Sequence, residues 1–274
     1  MKKSLHSIIY AIMITVVYIC SQIAVQFIYA FVVYFRNLNP EVSYADALAP
    51  AILNINNHRD FFSVISIILA FFIVYIICCR RKRIPVKPDI EHITPFGYVV
   101  WFLFGVFLSI CFYLVLFHFS LIGFNENAKI DIQYFLIGCF IVPIFEEWLF
   151  RNIIMKTLSA GMNDFFVVIV QAVLFAAIHS TNLQRAYTLI FAIFLGLVMI
   201  LKKNLIVVTV IHIIFNTVGM GLFYCANMDK GLLVASVVFS FLFCVSVLVY
   251  HIIKHLSAFR RHKKQLRDNR AQEE

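Results

Sequence analysis

A few polar residues inside long apolar stretches carry whatever chemistry this chain performs. Glu146 and Glu147 are followed by Arg151; Phe175 precedes His179, with Asn182 just beyond; His212 precedes Asn216. Ionisable residues inside membrane spans are costly and usually functional, and a spare acid with two histidines suits acid–base chemistry or ion transport. Glu147 and Arg151 stand at i and i+4 with the acid first, the favourable order for a pair on one helix face. Glu146 is rotated about 100° from Glu147 and can face elsewhere. By the same spacing, Phe175 and His179 share a face that Asn182 continues, and His212 shares one with Asn216. An ion pair accounts for Glu147 and Arg151, and a lone histidine is most simply an interhelical hydrogen-bond partner. Glu146, a spare acid, is what packing explains worst.

The elements that position these groups are membrane helices. Hydrophobic residues make up 62% of the 274 and charged ones 14%, with a mean hydropathy of +0.91. A soluble domain of this size needs more charge to cover its surface. The net charge is +9, but the basic residues gather at Lys2-Lys3, Arg80-Arg81-Lys82-Arg83, Lys202-Lys203 and Arg260-Arg261-His262-Lys263-Lys264. Each run abuts an apolar stretch, which is the positive-inside pattern and not a nucleic-acid surface. No nucleic-acid partner is expected. The cysteines number seven, an odd count without CxxC spacing, and most sit in apolar segments as small hydrophobes. The apolar run after Lys3 is too long for a cleavable signal and reads as a first span.

The fold class expected is all-α, a polytopic transmembrane helical bundle of about eight spans at roughly 20 residues each. The spans fall near 5–35, 61–79, 97–119, 132–158, 165–180, 186–201, 205–225 and 231–251. Placing both termini in the cytoplasm puts all four basic runs inside, with 36–60 as an outer loop carrying Glu41, Asp46 and Asp60. A linker at 80–95, with prolines at 85, 88 and 95, separates an N-terminal helix pair (1–95) from a six-helix region (96–254), followed by a basic cytoplasmic tail (255–274). Pro143 removes a backbone donor just before Glu146, so a kink or opening is expected there. If Lys156 snorkels to the cytoplasmic interface, Glu146 lies about 15 Å deeper at 1.5 Å per residue. His179 lies about 22 Å from Asp164 along the returning helix, and His212 and Asn216 about 13 and 20 Å from Lys203. These depths agree within a turn or two, so the polar groups can meet.

The fuller strings FEEWLFR, FAAIHSTN and HIIFNTVG, in this order and in separate spans, resemble the three motifs of the CPBP (CAAX protease and bacteriocin-processing) family of intramembrane proteases. The resemblance covers about residues 132–225. Asn152 departs from it, standing where many bacterial members have glycine. The resemblance implies an all-helical intramembrane endopeptidase akin to the type 2 CAAX prenyl proteases. By carry-over Glu146 is the general base, His179 its partner on the water, His212 and Asn216 the oxyanion donors, and Glu147, Arg151 and Asn182 supporting residues. No cofactor is expected in this glutamate mechanism. The alternative is a zinc enzyme with Glu146, Glu147, His179 and His212 as ligands and an open position for water, although no HExxH is present. Two other activities fit the residues: a proton-coupled transporter or channel with Glu146 and the histidines as relay, and a catalytically silent bacteriocin-immunity protein. The partners expected are membrane lipid and a membrane-associated peptide or protein substrate. An Ile-, Lys- and Asn-rich composition fits a low-GC bacterium and its plasma membrane, where peptide maturation or immunity suits better than prenylated substrates.

Overall fold

The computed structural model describes residues 2–39, 42–81, 86–119, 121, 132–223 and 230–273. Glu41, Lys82, Arg83 and Pro85 of the expected loop and linker lie outside them. Helix occupies all eight expected stretches: α1 (Lys2–Asn37), α3 (Arg59–Arg81), α4 (Pro95–His118), the run 132–159, α8 (Asp164–Ala177), α9 (Asn182–Lys202), α10 (Leu205–Phe223) and α11 (Lys230–Glu273). Among the described residues, five helices are long and apolar enough to cross a membrane: Lys3–Asn37, Phe61–Cys78, Pro95–His118, Asn182–Lys202 and Val234–Arg261. Asp164–Ala177 and Leu205–Met220 are apolar but shorter. The chain is an all-helical, multi-pass membrane protein.

One helix was not expected. The segment expected as an outer loop holds α2 (Tyr44–Asn57), capped by the Ser43 hydroxyl, which accepts from the Asp46 amide. Ser43 with Asp46 three residues on is a helix-start signal of the capping-box kind. The charged tail also continues α11 instead of leaving it.

The run 132–159 is built in five pieces: α5 (Ile132–Leu136), a π-helical stretch Ile137–Ile141, α6 (Val142–Glu147), a second π-helical stretch Trp148–Ile154, and α7 (Met155–Ser159). Pro143 cannot donate to the Cys139 carbonyl four residues back, and the helix widens to π geometry just before it. The Val142 amide bonds the Ile137 carbonyl, and the Met155 amide bonds that of Phe150. From Leu149 to Met155 every side chain is buried, as for a helix enclosed on all sides.

The chain folds as two compact units, Met1–Ile90 with Lys129–Gly196, and Glu91–Ala128 with Leu197–Glu274. In the first, α1 presents Ser7, Ala11, Ile14, Thr15, Tyr18 and Ser21 as a buried stripe at helical spacing. The Ser4 hydroxyl donates to the Gly161 carbonyl just past the end of α7, and Trp148 meets Phe71 of α3 in a tilted ring contact at 4.6 Å. In the second unit, α10 packs on α4 at Gly105, where a Cβ would stand 3.3 Å from the Ile211 Cα. α11 covers α4 with Phe239 and Phe243 on Phe107.

Candidate active site

Five of the expected residues, Glu146, Glu147, Arg151, His179 and Asn182, belong to the first unit; His212 and Asn216 belong to the second.

Glu146 and Glu147 end α6, 6% and 0% exposed. Arg151, in the π stretch that follows, is also 0% exposed and donates from Nη1 to Glu147 Oε1 at 2.9 Å. The expected i, i+4 ion pair is therefore formed and wholly buried. The guanidinium carbon lies 4.6 Å from the centroid of the Phe175 ring, within cation–π range. Phe150 meets that ring edge-on at 5.0 Å, and the His179 imidazole touches it at 5.0 Å. One aromatic ring on α8 thus joins the acid–base helix to the histidine. Phe175 and Phe150, which sequence reasoning would leave as ordinary core, are the joint of the site.

His179 is not on a helix face with Asn182, contrary to expectation. α8 ends at Ala177, His179 sits in the turn, and Asn182 opens α9. The cause is local: Thr181 caps α9, its hydroxyl accepting from the Gln184 amide at 3.1 Å. Helix ends leave carbonyls without an intrahelical partner, and His179 Nδ1 takes that of Phe175 at 2.9 Å. A carbonyl has no proton to give, so Nδ1 carries the hydrogen, and a neutral ring keeps its lone pair on Nε2. Arg185 holds the turn, donating from Nε to the His179 carbonyl at 2.7 Å and from Nη1 to Asn182 Oδ1 at 3.2 Å. Asn182 is exposed and serves this brace.

Four further residues, outside the expected site set, brace the elements that carry it. Gln171, fully buried on α8, donates across to the Ala192 carbonyl of α9 at 2.9 Å, pinning the two helices that flank His179. Asn152 donates to the Val86 carbonyl at 2.7 Å, and Lys156 to the Lys87 carbonyl at 2.7 Å with Asp89 at 3.1 Å. The departure at Asn152 is thus an anchor for the linker. In the second unit Asn204 caps α10, accepting from the Val207 amide at 3.2 Å and donating to the Glu91 carbonyl at 2.6 Å. His212 is buried and Asn216 half-buried one turn further along α10, next to Phe215, whose ring meets Phe112 and Tyr113. A buried polar residue between apolar neighbours was the available signal for Gln171.

Residues 128–218 match the family model described as type II CAAX prenyl endopeptidase Rce1-like. The resemblance read from the three motifs holds over this segment. No curated protein and no solved structure matches the chain. The Rce1-like segment contains Glu146, Glu147, Arg151, His179, Asn182, His212 and Asn216, and leaves out α1 to α4 and α11. Among the described residues no three His, Cys, Asp or Glu side chains gather closely enough to hold a metal ion. The zinc alternative would join Glu146, Glu147 and His179 of the first unit to His212 of the second, and no step below passes through a metal.

Proposed function

We propose that the protein is a glutamate-type intramembrane endopeptidase that hydrolyses a peptide bond of a membrane-associated protein or peptide. Glu146 takes a proton from a water that His179 orients through the Nε2 lone pair. The hydroxide adds to the scissile carbonyl carbon, and the carbonyl oxygen becomes the oxyanion. As the carbon–nitrogen bond breaks, Glu146 returns the proton to the leaving amine. His212 and Asn216 keep the role the resemblance gives them, hydrogen-bond donors to the oxyanion, a large electrostatic contribution in acyl transfer. Glu147 and Arg151 hold the acid helix in register with Phe175 and so with His179. Both termini face the cytoplasm, following the basic runs.

The observation that carries this reading is the buried acid helix, with Glu146 beside an ion pair whose guanidinium packs on the same Phe175 that His179 touches. The Rce1-like match over 128–218 supplies the reaction class. The test is cleavage of a quenched farnesylated CAAX peptide and its unprenylated counterpart in proteoliposomes. Glu146→Gln and His179→Ala are each expected to lower kcat by about 10²-fold or more. Wild-type rates in both variants would overturn the mechanism.

A further inference from the structure

The family match begins at residue 128, yet α1, in the same unit as the acid helix, meets it through the Tyr18 and Phe145 rings. Four hydroxyl-bearing residues lie on the buried stripe of α1 with under one-tenth of their surface exposed: Ser7, Thr15, Tyr18 and Ser21. Three donate to a backbone carbonyl of their own helix. Ser7 donates to the Ser4 carbonyl, Thr15 to Ala11 and Ser21 to Val17. Tyr18 does not. It is 3% exposed, its ring lies 5.5 Å from that of Phe145, the residue before Glu146, and its hydroxyl interacts electrostatically with Glu146. Gln22, one turn further along α1, hydrogen-bonds that hydroxyl, as i, i+4 neighbours on one face can. A phenol oxygen that accepts from an amide keeps its own proton to donate, and a carboxylate is acceptor-only.

We propose that Tyr18, oriented by Gln22, is a positioning residue for Glu146: its hydroxyl donates to the carboxylate and aims the remaining lone pairs at the water. The proposal rests on the reading of Glu146 as general base. It adds to the site a helix that the family segment lacks, and it gives Gln22, an uncharged polar residue of the first span, a task. Among the described residues, the charged and titratable groups acting on Glu146 include Glu147 and Arg151 from its own helix and Tyr18 from α1. A hydrogen bond to an ionised group is among the stronger kinds, so its loss is felt in the chemical step.

The test compares Tyr18→Phe, which keeps the ring on Phe145, with Gln22→Leu, the double variant, and Glu146→Gln, on the same two peptides. The expected result for Tyr18→Phe is a kcat about tenfold lower with KM within about twofold, and a double variant no worse than the single. A residue that only packs would leave kcat untouched when just its hydroxyl is removed. A second readout is free of turnover: modification of Glu146 by the apolar carbodiimide DCCD, located by mass spectrometry and followed against pH. Its midpoint is expected to move by about half a pH unit or more in Tyr18→Phe and in Gln22→Leu. Where Tyr18→Phe fails to fold, Gln22→Leu carries both readouts; where neither peptide is cut by wild type, the labelling curve decides. A kcat within twofold of wild type, or superimposable labelling curves, overturns the proposal. Glu146→Gln separates the two failures: its inactivity beside a fully active Tyr18→Phe leaves the peptidase reading standing, whereas full activity of Glu146→Gln removes that reading.

Discussion

Removing one member of the Glu147–Arg151 pair is the sharpest perturbation this fold offers. Both side chains are 0% exposed, they share a 2.9 Å bond, and Nε and Nη2 of Arg151 have no hydrogen-bond partner among the described residues. Glu147→Gln therefore leaves a cation with no water to fall back on. Breaking a buried pair from one side destabilises by about 3–5 kcal/mol, most of it the penalty of the charge left behind. At about 2–4 °C per kcal/mol for a chain of this size, Tm should fall by about 6–20 °C. Arg151→Met, which strands the carboxylate, should do the same. The double variant strands nothing and should regain most of the loss, since a buried ion pair is often replaceable by apolar side chains of like volume. The assay is unfolding in mild detergent, followed by the reaction of the buried Cys78 and Cys139 thiols with a fluorogenic maleimide on heating. Peptide cleavage is measured on the same preparations. The double variant is expected to be stable yet still impaired, because Phe175 has lost the guanidinium that ties it to the acid helix. Single variants within about 2 °C of wild type, or a double variant as unstable as the sum of the singles, would refute the pair as the element that holds the site.

The other predictions concern metal, linker and packing. Cleavage should survive exhaustive chelation; loss of activity that zinc restores would refute the metal-free mechanism. Asn152→Ala should free the linker from α6–α7 and raise the rate of elastase cleavage after Val86 about fivefold, as expected for one hydrogen bond of about 1 kcal/mol; an unchanged rate would show that the Val86 contact anchors nothing. At Gly161 a Cβ would stand 2.7 Å from the backbone oxygen of Lys3, which cannot swing away as a side chain can. Gly161→Ala should cost about 1–3 kcal/mol of stability, read as a lower Tm in the same thiol assay, and an unaffected Tm would mean that α1 is free to shift.

Much of the fold was legible because apolar runs of spanning length become helices when no water is present to satisfy an open backbone. What was not legible came from short polar signals set between those runs. Ser43 and Asp46 start α2 inside what reads as a loop, and Thr181 starts α9 earlier than its first strongly apolar residue. Hydropathy averages over such residues, whereas a single capping hydroxyl decides where a helix begins. The linker contact at Asn152 was illegible for another reason. It joins residues 66 positions apart, and no local pattern carries that information.

Two of the spacing arguments at the site fared differently, and helix geometry explains why. Glu147 and Arg151 were paired on the assumption of a regular α-helix, yet Arg151 lies in a π-helical stretch. An i, i+4 step turns about 40° past a full revolution at 3.6 residues per turn. At about 4.4 residues per turn it falls about 30° short of one. Either way the two side chains stand nearly in line, so the pair tolerates the change of helix. The step from His179 to Asn182 had no such protection, because both residues lie beyond the end of α8 and the chain turns between them. Widening a helix preserves an i, i+4 contact; ending it does not. The same distinction makes the acid helix suited to its task. Its π turn adjusts the direction of the side chains beyond Glu147 and leaves the ion pair intact, and that pair meets the Phe175 ring from which His179 is set.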